Sequence, residues 1–426
     1  MSNKDTLCIL PWMHFSLKPN GIVKPCCRFI MHDNQQGKFV DFENMKLNDF
    51  ENVSDILASE KFNEIRKSML AGEKLTGCAK CYKEEKVTNA SMRTGYNGDY
   101  DVINTVALNR PSIKFLEVTF GNYCNLACRT CNSQLSTAWH DDDKVLTKHY
   151  SDREVFAQRQ NIGFHWKSED FKDTVHIKFT GGEPMLHPDF IKFLEVIIAG
   201  GYHKQIKLEI FTNSSWTPKD KLISTLIKFK KVEIWMSVDG TGEVNDYVRQ
   251  NSTWSAVEES MQTWLDAEKE YKNVSVTLTP TLCAYNIFNM QTLLEYWIDT
   301  RATKGLETIH DKIGKVVMNM VYSPTYIALD VLPNKLLLIE KLTKYLERIE
   351  IDRPYIEYKI ISRQLNKIIQ YLSKPSTIDN TETFLKYTKD VDVLRNQSLQ
   401  NQIPELYIHL QENLGYNYDD VKGHIE

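Results

Sequence analysis

The run Ile113-Lys114-Phe115-Leu116-Glu117-Val118-Thr119-Phe120 passes directly into Gly121-Asn122-Tyr123-Cys124-Asn125-Leu126-Ala127-Cys128-Arg129-Thr130-Cys131. The first run is β-rich and reads as a strand. Three cysteines in a Cys-x3-Cys-x2-Cys spacing therefore stand on the loop that leaves a strand end, which is where sites form on parallel α/β sheets. Their number is informative. A structural zinc site or a cubane held wholly by protein needs four ligands, whereas three leave one position open for a cofactor or substrate. A zinc site completed by a distant residue, or three cysteines packed in a core, are the plainer alternatives.

Outward from this loop, β-rich runs at Ile113–Phe120, Val175–Phe179, Ile206–Phe211, Val232–Val238, Val274–Thr279 and Val316–Val321 alternate with helical patterns. The helical patterns include Asp189–Ala199, Pro218–Phe229, Ala256–Tyr271 and Met290–Ile298. Alternation of this kind implies parallel strands joined by right-handed crossovers. Six units are too few for a complete eight-fold barrel, which leaves a partial barrel or an open doubly wound sheet. The charged stretch from Gln134 to Lys172 reads as a helical insertion, and beyond Pro333 the pattern Leu336, Leu337, Ile339, Leu342, Leu346 reads as a helical C-terminal extension. On the other side, Pro19-Asn20-Gly21 ahead of Ile22-Val23 predicts a hairpin. Val53 to Ala71 predicts one amphipathic helix ending at Gly72. The polar stretch Asn97 to Asn109 marks a boundary, so the expected divisions are 1–110, 111–330 and 331–426.

Composition narrows the function. With 426 residues, 42% apolar and 25% charged, the chain buries a core without disulfide staples and is neither a disordered nor a polytopic membrane sequence. No stretch nears the roughly 20 apolar residues of a spanning helix, and Met1 to Leu10 has no signal-peptide core. A cytoplasmic protein without a membrane partner is expected. The net charge of −4 gives no footprint for nucleic acid. Nine cysteines in a reducing compartment point to metal or redox chemistry, and eight of them fall in the first third of the chain.

Cys124-x3-Cys128-x2-Cys131 resembles the signature of the radical S-adenosylmethionine (SAM) superfamily. The second β-run ends in Phe179-Thr180-Gly181-Gly182-Glu183-Pro184, similar to that family's GGEP motif. Paired glycines admit close backbone approach, and an acidic side chain complements an ammonium. The resemblance implies a partial (β/α)6 TIM-type barrel in which Cys124, Cys128 and Cys131 hold a [4Fe-4S] cluster. The open iron would take SAM through its amino and carboxylate groups. It further implies that Gly181, Gly182, Glu183 and Pro184 engage the SAM amino group. Asn213, Ser237 and Asp239 correspond to positions that contact its ribose and methionine parts, and Arg249 to a carboxylate-binding arginine of some members. Asn213, Ser237 and Asp239 read equally as turn formers, and Arg249 as a solvated arginine. Thr130 departs from the aromatic residue often found before the last cysteine. Cys283 reads as a small core residue.

The remaining cysteines, Cys8, Cys26, Cys27, Cys78 and Cys81, are dispersed along residues 1–110. A CxxC knuckle joined by one or two cysteines from a hairpin completes a four-thiolate site, and zinc and iron–sulfur both satisfy that spacing. The arrangement Gly21-x4-Cys26, a helix, and then Cys78-x2-Cys81 followed by acidic residues is similar to the SPASM or shorter twitch domain. That likeness implies an auxiliary [4Fe-4S] cluster, with Cys8, Cys26, Cys78 and Cys81 as the best four and Cys27 spare or interchangeable with Cys26. In most members this domain follows the barrel, whereas here it precedes it.

Together the resemblances imply a radical SAM enzyme fed by a flavodoxin- or ferredoxin-type electron donor. A peptide stands first as substrate, with a carbohydrate or nucleotide-sugar as the alternative small molecule. A non-enzymatic zinc or iron–sulfur module, and an activator of a glycyl-radical partner, are the other readings. No general acid or base stands out, and His187 reads as a helix-start residue.

Overall fold

The computed structural model describes residues 5–31, 38–99, 110–156, 162–306, 315–352, 356–374 and 379–425. The boundary expected at 97–109 lies, from residue 100 on, outside the described residues. In chain order the strands are β1 (His14–Leu17), β2 (Val23–Lys24), β3 (Phe115–Val118), β4 (Ala127–Cys128), β5 (His176–Phe179) and β6 (Lys207–Thr212). They continue as β7 (Lys231–Met236), β8 (Arg249–Gln250), β9 (Val274–Leu278), β10 (Thr281–Leu282) and β11 (Asn319–Met320). One seven-stranded sheet has the order β2-β1-β3-β5-β6-β7-β9. The fold is α/β, with helices between the strands after β5 as in a partial (β/α)6 barrel. By contacts the chain separates into two compact units interleaved in sequence. The first comprises Met1–Tyr123, Arg159–Phe211 and Ser224–Val232, and the second Cys124–Gln158, Thr212–Ile223 and Glu233–Glu426.

In the first unit β1, β3, β5 and β6 run parallel, and only the β1–β2 hairpin is antiparallel. Strand side chains alternate between faces, and the register sorts them by chemistry. Phe15, Leu116, Ile177 and Leu208 lie in one row, all buried. That apolar face suits helix Asp189–Ala199, whose Phe190 and Phe193 pack on Phe179 at 5.0 and 5.5 Å between ring centroids. One residue along lies Ser16, Glu117, Lys178 and Glu209, a polar row where a filled barrel interior carries branched apolar residues. The expected hairpin thus supplies a strand beside β3, which the division at residue 110 does not anticipate.

In the second unit helix Trp254–Glu270 packs on β9. Helices Lys335–Asp352, Ile356–Leu372, Thr381–Arg395 and Pro404–Asn413 form the expected C-terminal extension.

Three local expectations change. The helix expected over Val53–Ala71 is two, Asp55–Ala58 and Glu60–Leu70, because Ser59 turns to extended backbone at ψ 156° between them. The described residues of the insertion are largely irregular: they carry one short helix, His140–Leu146, with single 3-10 turns at Thr137–Trp139 and Ser168–Phe171. Their backbone and side chains are committed to other contacts, described below. The strand expected at Val316–Val321 reduces to a bridge between Val316 and Leu278 and a two-residue parallel ladder of β11 with β10. No helix among the described residues is long and apolar enough to cross a membrane.

Candidate metal centres

The cysteine loop is held from two directions within the second unit. β4 pairs antiparallel with β8, placing Cys128 opposite Arg249, and the Arg129 N–H donates to the Val248 carbonyl at 2.7 Å. From the other direction the insertion takes the loop's carbonyls one after another. The Thr137 hydroxyl donates to Cys124 O (3.0 Å), Ser136 to Leu126 O (2.5 Å), the Trp139 indole to Cys128 O (2.8 Å) and Arg153 Nη1 to Cys131 O (3.0 Å). A loop that must aim three thiols at one point has many backbone groups outside regular ladders, and buried carbonyls left unpaired are costly. This segment, opaque in sequence, is the loop's clamp. Arg153 is itself fixed by Asp143 (3.0 Å) and lies over the Trp139 ring at 4.5 Å.

Cys128 is buried, and Cys124 and Cys131 are half-buried. Burial pushes the Cys131 thiol up to about 12, with the adjacent Cys128 and Cys124 raising it further. Burial also raises Cys128, against the opposing charge of Arg249. Such thiols ionise when a metal replaces the proton. The donor set fits an iron–sulfur cluster with one open iron. The surroundings fit its negative charge: Arg129 Nη1 and Arg249 Nε are buried cationic donors without an acceptor among the described residues.

In the first unit Cys8, Cys26, Cys78 and Cys81 line one small cavity with Leu10, Arg28, Gly77, Met92 and Arg93. Cys78 ends a 3-10 turn and Cys81 stands three residues on, in helix Ala79–Thr88, where i and i+3 share a face. Burial pushes Cys8 up to about 12, and neighbouring thiols raise Cys26 and Cys78 beyond their own burial. Gly77 permits the approach, since a Cβ there would lie 2.2 Å from the Phe29 ring. Two arginines that spacing did not flag flank the thiols, Arg28 paired with Glu84 and Arg93 paired with Glu85, each at 2.5 Å. Each arginine's charge is met by its glutamate, so the four thiols, the donor set of a cubane, stand among ion pairs. Cys27 does not line that cavity: although the residue as a whole is exposed, its thiol is tucked against Glu117, and that local burial raises it to about 11.

The family profile described as the radical SAM superfamily matches residues 118–295, and that of the SPASM iron–sulfur cluster-binding domain matches residues 8–82. The chain carries a radical SAM domain over residues 118–295. It is a radical SAM enzyme with an N-terminal SPASM domain, and these two domains set its cofactors: SAM, a SAM-binding [4Fe-4S] cluster and an auxiliary [4Fe-4S] cluster. No curated protein sequence matches the chain. Among solved structures it is similar to native anSMEcpe with bound AdoMet, at 16% identity over 67% of this chain and 68% of that one, with a TM-score of 0.38. It is also similar to Streptococcus suis SuiB bound to S-adenosylmethionine, at 14% identity over 70% of this chain and 60% of that one, with a TM-score of 0.36.

The other radical SAM positions fall as follows. Gly181 has φ +83°, and a Cβ on Gly182 would sit 2.0 Å from the Tyr123 carbonyl oxygen, so both glycines are required by the backbone. The Glu183 N–H donates to that same oxygen at 2.7 Å, Glu183 is buried, and Pro184 opens a 3-10 turn. His187 stacks on Phe120, and its Nδ1 accepts the Asp189 N–H at 3.2 Å where helix Asp189–Ala199 begins. Asn213 Nδ2 lies 3.7 Å from the Cys124 sulfur and 2.8 Å from Asn125 Oδ1. The Ser237 N–H pairs with Thr212 O at 2.9 Å. Asp239 and Arg249 bind each other at 2.6 Å, and Thr281 N–H donates to the second Asp239 oxygen at 2.8 Å. The guanidinium's carboxylate partner in the structure is therefore Asp239. Cys283 is fully buried in the core.

Proposed function

We propose that Cys124, Cys128 and Cys131 hold the SAM-binding cluster and that Cys8, Cys26, Cys78 and Cys81 hold the auxiliary one. The observation that carries this reading is the convergence of four dispersed thiols on one cavity while Cys27, adjacent in sequence to one of them, turns away. When bound, the SAM cluster and SAM supply reductive cleavage of SAM to methionine and a 5′-deoxyadenosyl radical, which abstracts hydrogen from a C–H of the substrate.

The chain's own residues position and insulate. Gly182 lets its own strand-end backbone pack against the Tyr123 carbonyl, and Glu183 offers a carboxylate suited to the SAM ammonium. The four clamped carbonyls keep the cysteine loop from relaxing. A one-electron donor of flavodoxin or ferredoxin type supplies the reductant, and a reducing, cytoplasmic setting suits nine free cysteines. The SPASM resemblance favours a peptide substrate, with a carbohydrate or nucleotide-sugar as the second reading. Divisions near residues 110 and 330 would separate the SPASM, barrel and helical parts.

Anaerobic reconstitution tests the metal assignment. About eight irons per chain are expected from two [4Fe-4S] clusters, with an electron paramagnetic resonance (EPR) signal perturbed by SAM. Stoichiometric zinc without iron, and no SAM effect, would overturn it.

A further inference from the structure

Arg129 lies between Cys128 and Cys131, and its side chain has zero exposure. Its guanidinium is stacked 3.7 Å from the Tyr247 ring and 5.2 Å from Tyr285. Nε donates to the Tyr247 carbonyl at 3.2 Å, and Nη2 donates to Asp392 at 2.5 Å and to Gln397 at 2.8 Å. Asp392 is the ionic partner, and it stands in the C-terminal helix Thr381–Arg395, 263 residues downstream. It also receives the Tyr247 hydroxyl at 2.7 Å and the Leu399 N–H at 3.0 Å. The same helix reaches the clamp a second time: Arg395 lies 4.2 Å over the Trp139 ring and pairs with Asp142 at 2.9 Å. A guanidinium buried this fully needs a counter-charge, because an unpaired buried ion is strongly destabilising.

We propose that Asp392 is a positioning residue for the SAM-binding cluster, acting through Arg129. The C-terminal extension is then part of the redox site. The buried pair fixes the backbone between two cluster ligands, and it sets the net charge felt by the cluster from that side. Cluster potentials respond to nearby charge. Asp392→Asn leaves Arg129 as an uncompensated cation, which favours the reduced cluster and raises its midpoint potential. Arg129→Gln leaves Asp392 as an uncompensated anion, still held by Tyr247 and Leu399, and lowers it.

The inference rests on the assignment of Cys124, Cys128 and Cys131 to the SAM cluster. Its test is an anaerobic redox titration of the EPR signal that SAM perturbs, in the reconstituted full chain. Opposite shifts for the two variants, with Asp392→Glu returning to the parent value, are expected. General loosening of the loop would move both variants the same way, and that result, or parent potentials in both, overturns the proposal. Selective loss of about four irons in both variants, with the auxiliary signal retained, is what loosening alone produces and overturns it likewise. If Arg129→Gln loses both clusters through misfolding, the sign is read from Asp392→Asn against Asp392→Glu: a rise supports the proposal and no change overturns it. A parent chain lacking any SAM-perturbed signal would refute the cluster assignment instead.

Discussion

Replacing Gly182 by alanine tests the geometry of the strand-end loop. The added Cβ would lie 2.0 Å from Tyr123 O, 2.7 Å from Tyr123 C and 3.2 Å from Asn122 C. All three are backbone atoms, so no side chain can swing aside, and reaching the 3.0 Å floor of real contacts takes about 1 Å of main-chain movement next to Cys124. Overpacking of this kind costs about 1–3 kcal/mol. The displaced hydrogen bond from Glu183 N–H to the same oxygen adds about 1 kcal/mol. A total of at least about 2 kcal/mol corresponds to a factor of about 30 in an equilibrium constant. Gly181→Ala is the comparator. Its Cβ meets the Thr119 side chain at 2.2 Å, which can rotate, and its positive φ costs about 1–2 kcal/mol. Gly182→Ala should therefore be the worse of the two. We expect it to weaken SAM binding at least tenfold by equilibrium dialysis with iron content retained, or to lower the urea midpoint, according to whether the loop or the fold absorbs the strain. Parent values in both assays would refute the reasoning, as would Gly181→Ala proving the more damaging.

Three further outcomes follow from the same contacts. Cys78→Ala should remove about half of the iron and leave measurable SAM cleavage uncoupled from substrate turnover. Cys27→Ala should keep the parent iron content, because that thiol faces Glu117 and not the four-thiol cavity. His14 is buried, stacked on Phe115 at 4.2 Å, and burial lowers its pKa to about 3. The unfolded chain, titrating near 6.5, then binds the extra proton first, so the neutral ring's stabilisation is full above pH 6.5 and is lost as pH falls toward 3. Melting temperatures between pH 7.5 and 5 should fall less steeply in His14→Phe, by up to about 1.4 kcal/mol of stability per pH unit.

The fold was legible because periodicity carries it, and short spacing is what suggests the two cysteine sets. Asp189–Ala199 forms as its pattern implies, and the Cys-x3-Cys-x2-Cys loop follows β3 as read. What the sequence concealed is long-range. Ser136, Thr137, Trp139 and Arg153 act on carbonyls of a loop up to 22 residues away, with no motif to announce them. Asp392 reaches Arg129 across 263 residues from a helix whose own pattern reads as solvent-and-core amphipathy. Spacing ranks Cys26 ahead of Cys27 without separating them physically, since adjacent residues differ in the direction the turn gives each side chain. Asp239 and Arg249 each looked like a ligand-facing group, and their mutual pairing depends on β8 folding back against β4.

The most direct test of the central claim is 5′-deoxyadenosine formation by the reconstituted enzyme under reducing conditions, parent against Cys128→Ala. The account predicts product from the parent and none above background from Cys128→Ala, with the auxiliary iron still bound. Cleavage of SAM by Cys128→Ala at the parent rate would contradict it.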